Sequence, residues 1–281
     1  TLTYLATAEP HLPYTPSAAS LAAEWAEARP GGDRDAGAAA PPIDPTRTAE
    51  LADGVQAGTV HLGAEARRFV EALYDAEVRD ADAAIGELLA DLEALGIAGR
   101  TAVILVGDHG EEMWERGGFG HGKTLYEEVL RIPLVVVLPG GRSGGVSRDE
   151  PVEAVDVYAT ALALAGIAPD SQAQGQSLLP AGAGGEPRGG VRPQLANLPG
   201  RGRAMVLGRY KLVASARGGR EIYDLVADAE EQHDLGATAP LVERFLRTTF
   251  GIAVAYESVW SRRRWGSPAN TSAAFAADHG L

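Results

Sequence analysis

The chain has 281 residues, enough for one large domain or for a medium domain with a smaller one, and its 45% hydrophobic and 22% charged residues are typical of a globular protein. Its 25 basic and 38 acidic residues give a formal net charge of −13, which disfavours nucleic acid as a partner. The absence of cysteine excludes disulfides, thiolate metal sites and a cysteine nucleophile within these residues. Because no run of 18 apolar residues occurs, the sequence predicts no membrane-spanning segment.

Predicted strands and helices alternate in the first half of the chain. An apolar segment at residues 2–6 predicts a short strand, and the prolines of the following loop preclude regular structure there. The longest periodic segment, residues 63–95, predicts one long helix that stops at Gly96. Continuous apolar runs at 101–106 and 134–138 predict strands that are buried on both faces. The alternation predicts an α/β fold, with a mostly parallel sheet between layers of helices.

A small α+β subdomain is predicted for the C-terminal part of the chain. Asp156 can cap a helix that ends at Gly166, and residues 180–193 have the composition of a linker. Three short strands and a final helix are predicted beyond it, at residues 204–207, 210–214, 221–225 and 241–255. The predicted organisation is a larger domain at 1–185, the α+β subdomain at 186–260 and a tail at 261–281.

The first candidate site residues follow the strand predicted at 101–106. Asp108 and His109 stand between Gly107 and Gly110, and ligands bind at the carboxyl ends of strands in α/β sheets. A carboxylate and a neutral imidazole are both metal ligands, and the glycines let the backbone aim the two side chains at one point. A metal-binding or catalytic role is one interpretation. The alternative is that Asp108 caps a turn and His109 is surface.

Further candidates lie on two loops. His121 and Lys123 occupy a glycine-rich loop and suit an anionic substrate, because a histidine can protonate a leaving oxygen and a lysine can neutralise charge. A solvated loop is the alternative for both, since exposed lysines are common. His11 lies in the proline-rich loop after the first predicted strand and is expected at the same edge of the sheet. No function is assigned to the other three histidines, which are His61, His233 and His279.

Five motifs together resemble, in the same order, the sulfatase family of the alkaline phosphatase superfamily. The most specific is DHGE at 108–111 with GHGKTLYEE at 120–128 and RIPL at 131–134. It is accompanied by PHLPY at 10–14 and by the helix segment from Tyr74 to Leu89. Segments at 155–179 and 208–235 resemble later parts of the family, so the resemblance covers roughly residues 1–240.

The resemblance implies an alkaline-phosphatase-like fold and a hydrolase that acts on small anionic sulfate esters. It also implies a divalent cation, usually Ca²⁺, with Mn²⁺ or Mg²⁺ as alternatives, and a formylglycine nucleophile made from Cys or Ser. By position, Asp108 and His109 would bind the metal, while His11 and His121 would contact the sulfate or protonate the leaving alkoxide. The family often has a catalytic lysine one position before Lys123.

Two departures from the family pattern concern the nucleophile and the remaining metal ligands. The motif of Cys or Ser, then Pro two residues later and Arg four residues later, does not occur in the chain, and neither do the paired aspartates of the family's first strand. Both precede the histidine loop in the family. We therefore expect a C-terminal portion of a sulfatase-like protein, inactive alone and, with two protein ligands, a weak binder of Ca²⁺. A phosphoesterase or phosphonate hydrolase of the same superfamily and a noncatalytic sulfatase-like module are the alternatives.

Overall fold

Two compact units are formed by the residues that the computed structural model describes. These are residues 1–28, 42–141, 144–168, 174–179 and 191–265, with the side chains of the final helix described as far as residue 256. The first unit comprises Thr1–Gly122 and Arg131–Ser147, and the second comprises Lys123–Leu130 and Arg148–Leu281. The predicted domain boundary between residues 185 and 186 lies outside the described residues, as do residues 266–281 of the predicted tail. Within the described ranges, no helix is both long and apolar enough to cross a membrane.

The core of the first unit is built on three helices: α1 (Ala18–Ala28), α2 (Thr48–Gln56) and α3 (Ala64–Ala94). α3 confirms the long helix predicted from the apolar periodicity, and Gly96 follows it with a φ of 68°. The rings of Trp25 on α1 and Phe69 on α3 meet edge to face with centroids 4.9 Å apart. This contact lies in a cluster of buried side chains that joins α1 to α3.

The strands of the first unit pair in antiparallel fashion. β1 (Val103–Val106) lies beside β4 (Leu134–Val137), with Val103 opposite Val137 and Val106 opposite Leu134. In the connection between them, β2 (Glu112–Met113) pairs with β3 (Phe119–Gly120). The prediction of a mostly parallel sheet is wrong for the described residues, in which every strand pair is antiparallel. Parallel neighbours are usually joined by a long crossover helix, whereas β1 and β4 are joined through a hairpin and one helical turn.

Two other predictions for apolar segments differ from the structure. Residues 2–6 form no strand, and Leu2 and Tyr4 are 82% and 87% exposed. A strand needs a neighbour for its backbone groups, and none of the described strands pairs with this segment. β1 and β4, predicted to be buried on both faces, leave Leu105 and Val135 exposed, because their sheet has only two strands within the described residues.

A buried carboxylate on α3 organises the proline-rich loop that carries His11. The Glu77 side chain accepts hydrogen bonds from the backbone amides of His11, at 3.0 Å, and Thr15, at 2.5 Å. Burial raises the pKa of Glu77, although the two amide donors act in the opposite direction. The conformation of this loop therefore depends on a side chain more than 60 residues away in the sequence.

The second unit contains a four-stranded antiparallel sheet in chain order: β5 (Gln194–Leu198), β6 (Gly202–Leu207), β7 (Tyr210–Ser215) and β8 (Arg220–Asp224). β6 to β8 lie where the sequence predicts strands, and β5 was missed because it adjoins the linker-like segment. The unit also contains α4 (Glu127–Leu130), α5 (Val155–Leu164) and α6 (Pro240–Trp265). α6 buries Leu246 against the sheet and continues into residues 261–265, which the sequence assigned to the tail.

Buried charges join α4 to this sheet. Lys211 on β7 is fully buried, and its Nζ lies 2.8 Å from Glu231 Oε1 and 3.0 Å from Glu127 Oε1. The other oxygen of Glu231 accepts the backbone N–H of Glu127 at 2.7 Å. The segment that begins at Lys123 is thereby held within the second unit.

Asp156 is the buried anchor at the start of α5. Its carboxylate contacts the guanidinium of Arg192 and accepts the backbone amides of Gln176, at 2.8 Å, and Glu153, at 3.0 Å. Burial alone raises the pKa of Asp156, but the two amides and Arg192 outweigh it, so that the pKa lies below its ordinary value.

Replacing this anchor should cost stability in a pH-dependent way. Asp156→Asn should lower the free energy of unfolding at pH 7 by about 3 kcal/mol, because it removes the buried charge that Arg192 contacts. When the pKa of a carboxyl group is lower in the folded protein than in the unfolded protein, the group stabilises the folded state fully at pH values above its unfolded-state pKa. This stabilisation is lost as the pH falls through its folded-state pKa. Urea unfolding should therefore show wild-type stability falling below about pH 4, and falling less steeply in the variant. Asp149→Asn, at an exposed aspartate, is the control; parallel curves for wild type and Asp156→Asn would contradict the assignment.

The anchoring of the His11 loop by Glu77 can be measured locally. Glu77→Gln replaces one acceptor oxygen by an N–H₂ group that faces backbone donors, so the loop should open more often. Amide hydrogen exchange at His11 and Thr15 should become about tenfold faster, which corresponds to about 1.4 kcal/mol of local stability. Glu87→Gln, on an exposed position of α3, should leave both amides unchanged. Equal exchange rates in the two variants would show that Glu77 does not hold the loop.

Candidate functional site

The turn after β1 places Asp108 and His109 side by side. The Gly107 amide donates to the Pro133 carbonyl at 3.1 Å, and a Cβ at Gly107 would lie 3.1 Å from the proline ring, a tight contact that a larger residue could make only if the ring moved slightly. The Asp108 side chain is 92% exposed, and its Oδ1 accepts the His109 amide at 3.0 Å. Its Oδ2 lies 3.9 Å from His109 Nε2. An oxygen and a nitrogen donor are thus available next to each other.

Three of the predicted site residues come together as a histidine cluster, formed by His11, His109 and His121. The ring centroids of His109 and His121 are 4.1 Å apart, and those of His11 and His121 are 4.9 Å apart. His121 therefore contacts both of the others. The three residues arrive from separate segments, namely the proline-rich loop, the turn after β1 and the loop after β3.

Each ring of the histidine cluster has an oxygen acceptor at Nδ1. His11 Nδ1 lies 2.7 Å from the Leu12 carbonyl, and His109 Nδ1 lies 2.9 Å from the Gly110 carbonyl. His121 Nδ1 lies 2.9 Å from Glu111 Oε1. Nδ1 is therefore engaged by an oxygen in all three rings, and Nε2 is the second nitrogen through which an imidazole can bind a metal ion or exchange a proton.

Glu111 is the residue of this site that sequence reasoning missed. Its side chain is only 4% exposed, and its Oε2 accepts the hydroxyl of the buried Tyr14 at 2.8 Å. Burial, followed by the proximity of Glu111, raises the pKa of Tyr14, so the phenol remains a donor. Both residues stand inside motifs quoted from the sequence, but partners 97 positions apart leave no local spacing pattern that could have indicated the contact.

Lys123 belongs to the second unit, whereas the residues of the histidine cluster belong to the first. Within the second unit, Lys123 lines a cavity of about 270 Å³ together with Tyr126, Arg201, Ser215 and Glu221 among others. The Tyr126 hydroxyl donates to Glu221 at 2.7 Å. The predicted catalytic role of Lys123 stays a prediction.

Asp108 and His109 are the side chains of this site that could coordinate a divalent cation. Asp108 offers an exposed carboxylate, and His109 has Nε2 free of a hydrogen bond to the backbone, so their chemistry fits part of a coordination sphere. Among the described residues, no group of three or more His, Cys, Asp or Glu side chains is arranged to hold a metal ion. Water or groups from elsewhere would have to complete the sphere of any cation bound by these two residues.

Comparison with curated proteins shows similarity to two named sulfatases. Arylsulfatase K of Danio rerio is 33% identical over 120 residues, which are 43% of this chain and 23% of that protein. Steryl-sulfatase of Rattus norvegicus is 34% identical over 121 residues, or 38% of this chain and 21% of that protein. The chain thus spans about a fifth of the length of these relatives.

Solved structures share the fold, and a family model identifies the family. BT4656, solved with its substrate D-glucosamine-2-N,6-O-disulfate, matches 79% of this chain and 48% of its own, with 22% identity and a TM-score of 0.56. The phosphonate monoester hydrolase of Agrobacterium radiobacter matches 90% of this chain and 55% of its own, with 20% identity and a TM-score of 0.62. The family model described as Sulfatase matches residues 1–167, more than half of the chain. The protein is therefore a member of the sulfatase family.

Proposed function

We propose that the protein containing this chain hydrolyses sulfate esters at the histidine cluster. The observation that carries the proposal is the convergence of His11, His109 and His121 from three separate segments. Two other histidines of the described residues, His61 and His233, lie outside the histidine cluster. Sulfatase relatives and the family assignment favour sulfur over phosphorus as the reacting centre.

The residues of the cluster suit a reaction on an anionic ester. When the ring is protonated on both nitrogens, Nε2 of His121 or His11 can donate a proton to the alkoxide that leaves when the sulfur–oxygen bond breaks. An imidazole that carries a proton on both nitrogens also stabilises an anionic group by hydrogen bonding. Because both rings are fixed at Nδ1, the orientation of their Nε2 atoms is set before a substrate binds.

A divalent cation is part of the proposal, with Asp108 and His109 as two of its ligands. Such a cation, Ca²⁺ as first choice, would polarise a sulfate oxygen when bound. The nucleophile, a formylglycine by family resemblance, would come from outside these 281 residues, because the chain contains no copy of the motif. The reaction is therefore proposed for the complete protein.

The direct test is an activity assay of the protein encoded by the complete reading frame. It should hydrolyse an aryl sulfate, and His121→Ala should lower kcat by about 10²- to 10⁴-fold, the usual contribution of a general acid or base. His61→Ala changes an exposed histidine outside the cluster and should leave kcat unchanged. Turnover of an aryl phosphonate with no turnover of the sulfate would contradict the proposal, as would equal effects of the two variants.

Calcium binding by the chain itself tests the proposed ligands. With two protein ligands, calorimetry should give a Kd no tighter than about 10⁻⁴ M, in the range of the weaker calcium sites. Asp108→Asn should abolish the binding heat, whereas Asp91→Asn, on an exposed face of α3, should not. Submicromolar binding, or binding that survives Asp108→Asn, would disprove this ligand assignment.

A further inference from the structure

We propose that Glu111 is a positioning residue: it holds His121 in the tautomer that carries the proton on Nδ1 and has an unprotonated Nε2. The catalytic benefit of this arrangement rests on the proposed function, because hydrolysis is what would use Nε2. The tautomer itself is a property of the folded chain. It can be measured without any turnover.

The hydrogen bonds around Glu111 define the direction of each donor. A carboxylate only accepts, so the 2.9 Å contact between Glu111 Oε1 and His121 Nδ1 requires the proton to be on the nitrogen. The second oxygen accepts the Tyr14 hydroxyl at 2.8 Å. Since each oxygen is engaged by a donor from a different loop, rotation of the carboxylate would break at least one of the two bonds.

The orientation of the His121 ring depends on a side chain at Nδ1, whereas His11 and His109 have backbone partners there. It lies between Gly120 and Gly122, both with a left-handed backbone, at φ values of 97° and 73°. His11 and His109 bond to backbone carbonyls of the residues that follow them. A carbonyl also only accepts, so these two rings carry the proton on Nδ1 as well. Of the three Nδ1 contacts, that of His121 is made by a side chain, so this tautomer should respond to substitution of Glu111.

The arrangement follows the general logic of an oriented acid or base, in which a third group fixes the ring that transfers the proton. A ring in the other tautomer would present a protonated Nε2 when neutral and could not accept a proton there. A ring free to rotate would present Nε2 only part of the time. Either change should lower kcat with little effect on KM, because the substrate would still meet the same surroundings.

The experiment is a long-range ¹H–¹⁵N correlation spectrum of the chain labelled with ¹⁵N-histidine, recorded about two pH units above the ordinary histidine pKa. In the wild type, His121 should show a protonated Nδ1 and an unprotonated Nε2, as should His11 and His109. In Glu111→Gln, His121 should become a mixture of tautomers while the other two rings stay as they were. Those two rings are internal controls for the fold of the site.

Glu112→Gln is the matched control. Glu112 is the neighbouring buried glutamate, and its Oε1 accepts the backbone amides of Gly118, at 2.9 Å, and Arg116, at 3.2 Å. This variant should leave the His121 tautomer unchanged, even if it lowers stability. In the complete protein, Glu111→Gln should lower kcat for the aryl sulfate by about 10²-fold and change KM less than about threefold.

The outcomes separate this inference from the proposed function. A wild-type His121 with its proton on Nε2 overturns the inference, and this spectrum decides the matter even if Glu111→Gln does not fold. An unchanged tautomer in a folded Glu111→Gln overturns it too. If the complete wild-type protein turns over no sulfate ester while the tautomer responds as expected, the positioning stands and the proposed function fails.

Discussion

The buried carboxylate of Glu111 is the constraint on which the site depends. Removing a carboxylate from water costs several kcal/mol unless donors replace its hydration. Here the donors are the Tyr14 hydroxyl and the His121 imidazole, each within 2.9 Å. Glu111 thereby joins the proline-rich loop, which carries Tyr14 and His11, to the glycine-rich loop, which carries His121.

Buried acidic side chains perform the same task elsewhere in the first unit. Glu77 accepts the amides of His11 and Thr15, and Glu112 accepts the amide of Gly118 in the turn between β2 and β3. These segments have little regular structure, so their backbone donors have no helix or sheet to satisfy them. The glutamates replace those missing partners and give the loops a defined shape. In this unit, acidic residues stabilise the loops that present basic imidazoles.

The parts of the structure that sequence could predict are those that depend on local patterns. The boundaries of α3 follow from its apolar periodicity and from Gly96, and the histidines follow from glycine-flanked motifs. The direction of the β1 and β4 pairing could not be predicted, because an apolar run does not specify which strand lies beside it or in which sense. The contacts of Glu77 with His11 and of Glu111 with Tyr14 could not be predicted from the sequence either, because these partners are 66 and 97 residues apart in the chain. The resemblance to sulfatases identified the family, whereas the organisation of the histidine cluster required the folded chain.

The central claim is that His11, His109 and His121 form one site for an anionic ester. The most direct measurement is a titration of the ¹⁵N-histidine-labelled chain with inorganic sulfate, followed by the resonances of its six histidines, with sodium chloride as the control for ionic strength. The account predicts that the three clustered histidines shift together along one binding curve, while His61, His233 and His279 follow only the salt control. Parallel shifts of all six histidines, or a shift of His61 or His233 with His121 unmoved, would contradict it.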